Sequence, residues 1–208
     1  LDRLERGFQQ QQRSVSDASH ELRTPVTVIL GYSDLLARWG SSDAKILEEG
    51  ISSIRSEAED MQDLIEKLLF LARADQKRQV LHKENVHLDE LVDDAVRKMK
   101  LVAKQHTLRL EANEPGIIYA DPATMRQMMR IFLENAVKYT PEGGHITVAS
   151  RRLPEKEAMQ LTFSDDGIGI AEEDQGKIFE RFYRADSSRT KKAGSVGGTG
   201  LGLSIASW

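Results

Sequence analysis

The chain has 208 residues, 39% hydrophobic and 30% charged, with a net charge of −4. That profile supports a globular core rather than a disordered tail, and it gives no global field for nucleic acid or a membrane surface. The absence of cysteine excludes disulfides and thiol chemistry, and the densest apolar run, Leu68 to Ala72, is far below the roughly 18 residues of a spanning helix.

From the start, apolar residues recur at alternating steps of three and four. Leu1, Leu4 and Phe8 lead past a polar Gln11 to Val15, Ala18, Leu22, Pro25, Ile29, Tyr32, Leu36 and Trp39. This is a heptad seam and predicts a helix with a narrow packing stripe. Leu47, Ile51, Ile54, Ala58, Met61, Ile65, Leu68 and Ala72 repeat it. Gly40–Asp43 between them is a short turn with Asp43 as N-cap. Two such helices form an antiparallel hairpin that cannot cover both sides of its own seam, so a second copy would complete a dimeric four-helix bundle.

With Val15 and Leu22 at a and Ala18 at d, His20 falls at f, the outermost position of the heptad. A lone outward histidine is ordinarily a solvated one. Pro25 argues for more: inside a helix it leaves the Glu21 carbonyl without its N–H donor and costs roughly 3 kcal/mol, with a kink. A zinc-protease motif is excluded, because Thr24 stands where HExxH needs its second ligand.

Asp75–Glu84 is polar and charged, and reads as a linker. Beyond it the period changes. Leu88, Leu91, Val92, Ala95, Val96 and Met99 predict an amphipathic helix; Thr107–Glu111 and Ile117–Tyr119 predict strands. Asp121-Pro122 is a capping residue followed by proline at N1. The helix it starts would bury Met125, Met128, Met129, Phe132, Leu133 and Ala136, and Pro141–Gly144 would end it. Ile146 and Val148, with Met159, Leu161 and Phe163, predict a hairpin. Strands with helices on one face make an α/β sandwich.

Three segments could carry chemistry. Asp165-Asp166-Gly167-Ile168-Gly169 either closes a strand with a glycine turn or offers a carboxylate and close backbone to a planar ligand. Gly194, Gly197, Gly198, Gly200 and Gly202 form either a linker or a run of amides suited to phosphate ahead of a helix. Asn135 and Lys138, three apart, share a helix face; an amide oxygen suits Mg²⁺ and a lysine suits phosphate. The Walker and protein-kinase signatures are absent.

In this order the segments resemble the sensor histidine kinases of two-component systems over nearly the whole chain. Ser16–Pro25 is similar to the family's H-box, Asn135–Tyr139 to the N-box, and Asp165–Ile170 to G1. Phe179–Arg184 is similar to the F-box and Gly198–Leu203 to G2. The resemblance implies residues 1–14 as the end of a signalling coiled coil, 15–74 as the dimerisation and phosphotransfer hairpin, and 75–84 as linker. Residues 85–208 would be a Bergerat-type (GHKL) α/β sandwich that binds ATP and Mg²⁺.

It further implies that His20 accepts the γ-phosphoryl group and passes it to an aspartate on a response regulator receiver domain. Glu21 would take the ring proton, and Glu21 with Thr24 would serve a phosphatase reaction on that partner. Asp165 would hold the adenine amine beside Gly167 and Gly169. Asn135 would hold Mg²⁺, Lys138 and Arg184 would steady the phosphates, and Tyr139 belongs to the same box. Gly198, Thr199, Gly200, Leu201 and Gly202 would cap the phosphates. Residues 171–197 would be a mobile lid anchored by Phe179 and Phe182.

Two departures are visible. Many members carry a second Asn four residues before the first, where this chain has Ile131. The family also continues past G2, so the catalytic domain is expected to be C-terminally incomplete at Trp208. An upstream sensor with a membrane anchor is expected too, making this the cytoplasmic part of a receptor. A GHKL-fold ATPase is an alternative that would lack the H-box hairpin. A non-catalytic dimeric scaffold with a relic nucleotide pocket is a second, opposed by the intact His20/Asn135/Asp165 set and left open by Ile131 and the short C-terminus. His82, His87, His106 and His145 have no assigned role.

Overall fold

The computed structural model describes residues 2–40, 42–75, 80–185 and 198–207, with burial described from residue 16 onward. The chain divides into two compact units, one of residues 1–79 with 180–201 and the other of 80–179 with 202–208.

In the first unit, α1 (Asp2–Trp39) and α2 (Ala44–Asp75) pack as a hairpin. α1 runs as one helix through Pro25, whose ring is buried. The Asp43 side chain caps α2, Oδ1 accepting from the Lys45 and Ile46 N–H groups at 2.9 and 3.2 Å. These satisfy two donors that the first turn leaves without partners. Gly50 is buried because a Cβ there would lie 2.7 Å from Leu36 Cδ2. Leu64, Leu71 and Ala74 are buried from α2. Among the described residues, no helix is long and apolar enough to cross a membrane.

The second unit is built from β1 (Glu84–His87), α3 (Leu88–Val102), β2 (Thr107–Asn113), β3 (Ile117–Ala120), α4 (Pro122–Tyr139), β4 (His145–Leu153), β5 (Ala158–Asp165), α5 (Glu172–Gln175) and α6 (Gly202–Ala206). β2, β4 and β5 form one sheet in that order, β2 parallel to β4 and β4 antiparallel to β5. β1 and β3 form a separate antiparallel pair. The β4–β5 pair is the expected hairpin. A parallel β2–β4 pair requires a crossover, which α4 supplies. α3 and α4 bury Leu88, Val92, Met129 and Leu133 with Ile146 and Val148 of the sheet. Phe132 stacks on Phe163 at 5.3 Å between centroids, joining α4 to β5.

α4 begins as its sequence requires. Asp121 Oδ1 accepts from the Thr124 N–H at 2.9 Å, and its Oδ2 accepts from the His82 N–H at 2.8 Å. Those backbone donors, Thr124 first, hold the carboxyl below the usual carboxylate range. A lowered folded-state pKa adds stability that is complete above the unfolded value of about 3.9 and is lost as pH falls through the folded one. Asp121→Asn should therefore unfold at lower urea than the wild type at neutral pH. Its unfolding midpoint should change less between about pH 5 and pH 3, as urea titrations at each pH would record.

Candidate functional site

His20 lies on α1 and is exposed, as its heptad position predicts. Glu21 and Leu22 are half-buried, Thr24 is exposed and Pro25 is buried. The helix thus presents the imidazole and the threonine hydroxyl to solvent while its seam residues turn inward. A neutral imidazole so placed can act as a nucleophile, with the adjacent carboxylate as proton acceptor.

In the second unit, α4 carries Asn135 half-buried, with Lys138 and Tyr139 exposed at its end. Lys138 Nζ stands 5.4 Å from the Tyr139 ring centroid. The Asp165–Gly169 turn follows β5 and is fastened to the end of α4, the Ile168 N–H donating to the Tyr139 carbonyl at 3.1 Å. Only glycine fits at 167: a Cβ would lie 2.5 Å from Tyr139 O and 2.7 Å from Asp165 Oδ1. Gly167 N–H donates to Asp165 Oδ1 at 3.0 Å, which orients an otherwise exposed carboxylate. Gly169 has φ +69° and open space where a Cβ would be. An oriented, exposed carboxylate can accept from the exocyclic amine of a base.

Among the described residues, no cluster of three His, Cys, Asp or Glu could hold a metal. The one amide oxygen of Asn135 still fits Mg²⁺, which keeps most of its waters and takes its other ligands from substrate phosphates. Ile131, one turn before Asn135, is 3% exposed, and its Cγ2 lies 3.2 Å from a Cβ placed on Gly202. It serves packing and can ligate nothing.

The glycine-rich segment is described from Gly198 onward; Gly194 and residues 186–197 of the expected lid lie outside the described residues. Within the first unit, the Phe182 N–H donates to the Gly200 carbonyl at 3.0 Å. Gly200 has φ +68°, and a Cβ there would lie 2.7 Å from the Phe182 carbonyl carbon. The F-box-like and G2-like segments are therefore joined through backbone. Phe182 takes the left-handed φ of +60°, rare for an aromatic residue. Leu201 is fully buried, so its side chain serves packing. Thr199 is half-buried and Arg184 exposed. Phe179, expected as an apolar anchor, is 45% exposed. The expected lid from Ala171 onward opens with α5 and turns.

Sequence reasoning passed over Asp166 and His145. Asp166 Oδ1 accepts from the His145 N–H at 2.7 Å, and its Oδ2 lies 3.0 Å from His145 Nδ1. The backbone donor first, and then the ring, hold the Asp166 carboxyl below its ordinary range. An aspartate beside Asp165 was visible in the sequence, but its partner, twenty-one positions away, required the β4–β5 register.

Two family models match the chain. Residues 10–77 match the His Kinase A (phospho-acceptor) domain, and residues 120–207 match the histidine kinase-, DNA gyrase B- and HSP90-like ATPase domain. The chain belongs to the histidine kinase family. It is 36% identical over 207 residues to the signal transduction histidine-protein kinase ArlS of Staphylococcus aureus, covering 99% of this chain and 45% of ArlS. The chain thus spans less than half the length of the curated histidine kinases it matches. In fold it is similar to the Acinetobacter baumannii histidine kinase AdeS (TM-score 0.67, 22% identity, 90% of this chain and 83% of that one). It is also similar to full-length ShkA, a structure in complex with AMPPNP (TM-score 0.63, 25% identity, 95% of this chain and 40% of ShkA).

Proposed function

We propose that this chain is the core of an ATP-dependent histidine autokinase whose phosphoryl group passes to an aspartate of a response regulator receiver domain. The observation that carries the reading is the exposed His20 imidazole on a helix that buries its seam at Pro25. A ring nitrogen of neutral His20 attacks the γ-phosphorus of ATP. The bond from that phosphorus to the β,γ-bridging oxygen breaks, and ADP leaves. The second ring nitrogen loses its proton to Glu21, leaving a neutral phosphorylated ring. A receiver carboxylate then attacks the phosphorus, the P–N bond breaks, and His20 regains a proton.

Asp165 accepts from the adenine amine through the oxygen that Gly167 does not occupy. Lys138 and Arg184 meet the phosphates, as do the backbone amides of Gly198, Thr199, Gly200, Leu201 and Gly202. Asn135 would hold Mg²⁺, which when bound neutralises charge on the β- and γ-phosphates. Glu21 and Thr24 also fit the reverse reaction, with the Thr24 hydroxyl aiming a water at the partner's aspartyl phosphate. The reading gives a homodimer on the cytoplasmic side of a membrane-anchored receptor, where ATP and the receiver domain are met. We assign residues 15–74 to dimerisation and phosphotransfer, and 85–208 to nucleotide binding.

Incubation with γ-labelled ATP and Mg²⁺ tests the reaction. The expected label is acid-labile and base-stable, as a phosphoramidate is. A label stable to acid would point to a hydroxyl acceptor and overturn the reading.

A further inference from the structure

The turn that carries Asp165 has fasteners on two sides. Towards α4, the Ile168 N–H donates to the Tyr139 carbonyl and Gly167 is pressed against that carbonyl. Both are contacts of the Tyr139 backbone carbonyl and involve no side chain of Asp166 or His145. Towards β4, the ladder pairs Asp165 with Ile146 and continues weakly, the Asp166 N–H donating to the His145 carbonyl at 3.2 Å. The strong fastener on this side is a side chain. Asp166 Oδ1 accepts from the His145 N–H at 2.7 Å while Oδ2 lies 3.0 Å from the His145 ring nitrogen. Gly144 makes room for it, since a Cβ there would lie 2.8 Å from Asp166 Oδ1.

We infer that Asp166, clamped to His145, is a positioning residue that fixes the aim of the Asp165 carboxylate and hence the preference for adenine. The inference rests on the nucleotide-binding reading above. Adjacent side chains at a strand end project to opposite faces. Tying Asp166 back onto the first residue of β4 therefore leaves Asp165 committed to the other face. Asp166 is ionised at neutral pH, so its bond from the His145 N–H is charge-assisted, and that bond is the first cause of its lowered pKa. The ring contact is exposed on both sides, and exposed pairs contribute little. The backbone N–H carries the clamp.

The test uses a ribose-labelled fluorescent ATP analogue bound to the whole chain and displaced by ATP or by GTP. Asp166→Ala should weaken ATP roughly tenfold and GTP less, narrowing the ratio between them. Asp166→Asn, which keeps an oxygen for the His145 N–H, should restore most of the affinity and the ratio. His145→Ala keeps the backbone donor and should change ATP affinity by less than about twofold. Asp166→Ser, too short for both contacts, replaces the alanine variant should that one not fold. An unchanged ATP/GTP ratio in the alanine or serine variant overturns the inference, whether affinity is kept or both nucleotides weaken together with the unfolding temperature. An Asp165→Asn variant that binds ATP like the wild type overturns the adenine assignment itself, and this inference with it.

Discussion

His20→Gln abolishes the phosphoryl label on this chain while ATP affinity stays within about twofold of the wild type. Both halves of the expectation come from position. His20 is exposed and carries none of the buried seam, and glutamine is a good helix former, so α1 persists and far-UV circular dichroism should not change. The glutamine amide nitrogen has no available lone pair, and no phosphoramidate forms. Asn135 lies on α4 and Asp165 at the end of β5, neither of them altered by a substitution on α1, so the nucleotide is still bound. Glu21→Gln is the partial version: it keeps the nucleophile and removes the proton acceptor, slowing labelling by about 10²- to 10⁴-fold. Time courses with γ-labelled ATP, analysed at alkaline pH, separate the two. Label that survives His20→Gln would remove this residue as acceptor whatever the fold around it.

Local signals were enough for the elements whose cause is local. The Asp43 cap, the Asp121-Pro122 start of α4 and the heptad positions around His20 each depend on neighbours within one or two helical turns. Their geometry is as the residues imply. β1 was not legible. Four residues with a single buried side chain, Val86, sit between a charged stretch and a strong helix pattern, and their strand state depends on pairing with Ile117–Ala120. The parallel pairing of β2 with β4 is equally non-local, because alternation reports the buried face and not the neighbour. At the nucleotide turn, the DxGxG spacing marks Asp165. It cannot tell that Asp166 is held by β4 or that Gly167 is pressed on Tyr139, since both depend on strand register. Ile131 shows the opposite limit: one missing amide reads as a lost ligand, whereas the fold uses the position to pack against Gly202.

Leu30→Glu combined with Ile51→Glu should convert a dimer into a monomer, with the dissociation constant raised at least about a thousandfold. A two-helix hairpin buries one stripe between its helices and leaves the flank of that stripe outside. Here the flank holds Val26 and Leu30 on α1, four apart, and on α2 the pairs Leu47/Ile51 and Ile65/Leu69, also four apart. Leu30 is 61% exposed and Ile51 55% exposed. Spacing of four makes each pair a short apolar ridge, the Leu47/Ile51 one ending at the exposed Arg55–Glu59 ion pair, and short ridges of this kind are how a second hairpin would pack by knobs into holes. Two-fold symmetry doubles each substitution, so four apolar side chains leave the interface, each worth about 1.5–3 kcal/mol on full burial. Four carboxylates then meet where desolvation disfavours charge. Light scattering on a sizing column should give the wild type at twice the monomer mass and the double variant at the monomer mass. The unfolding temperature should rise with protein concentration for the wild type only, because dimer formation is linked to folding by mass action. A wild type that elutes as a monomer, or a double variant that stays dimeric, would show that these ridges are not the surface at which two copies meet.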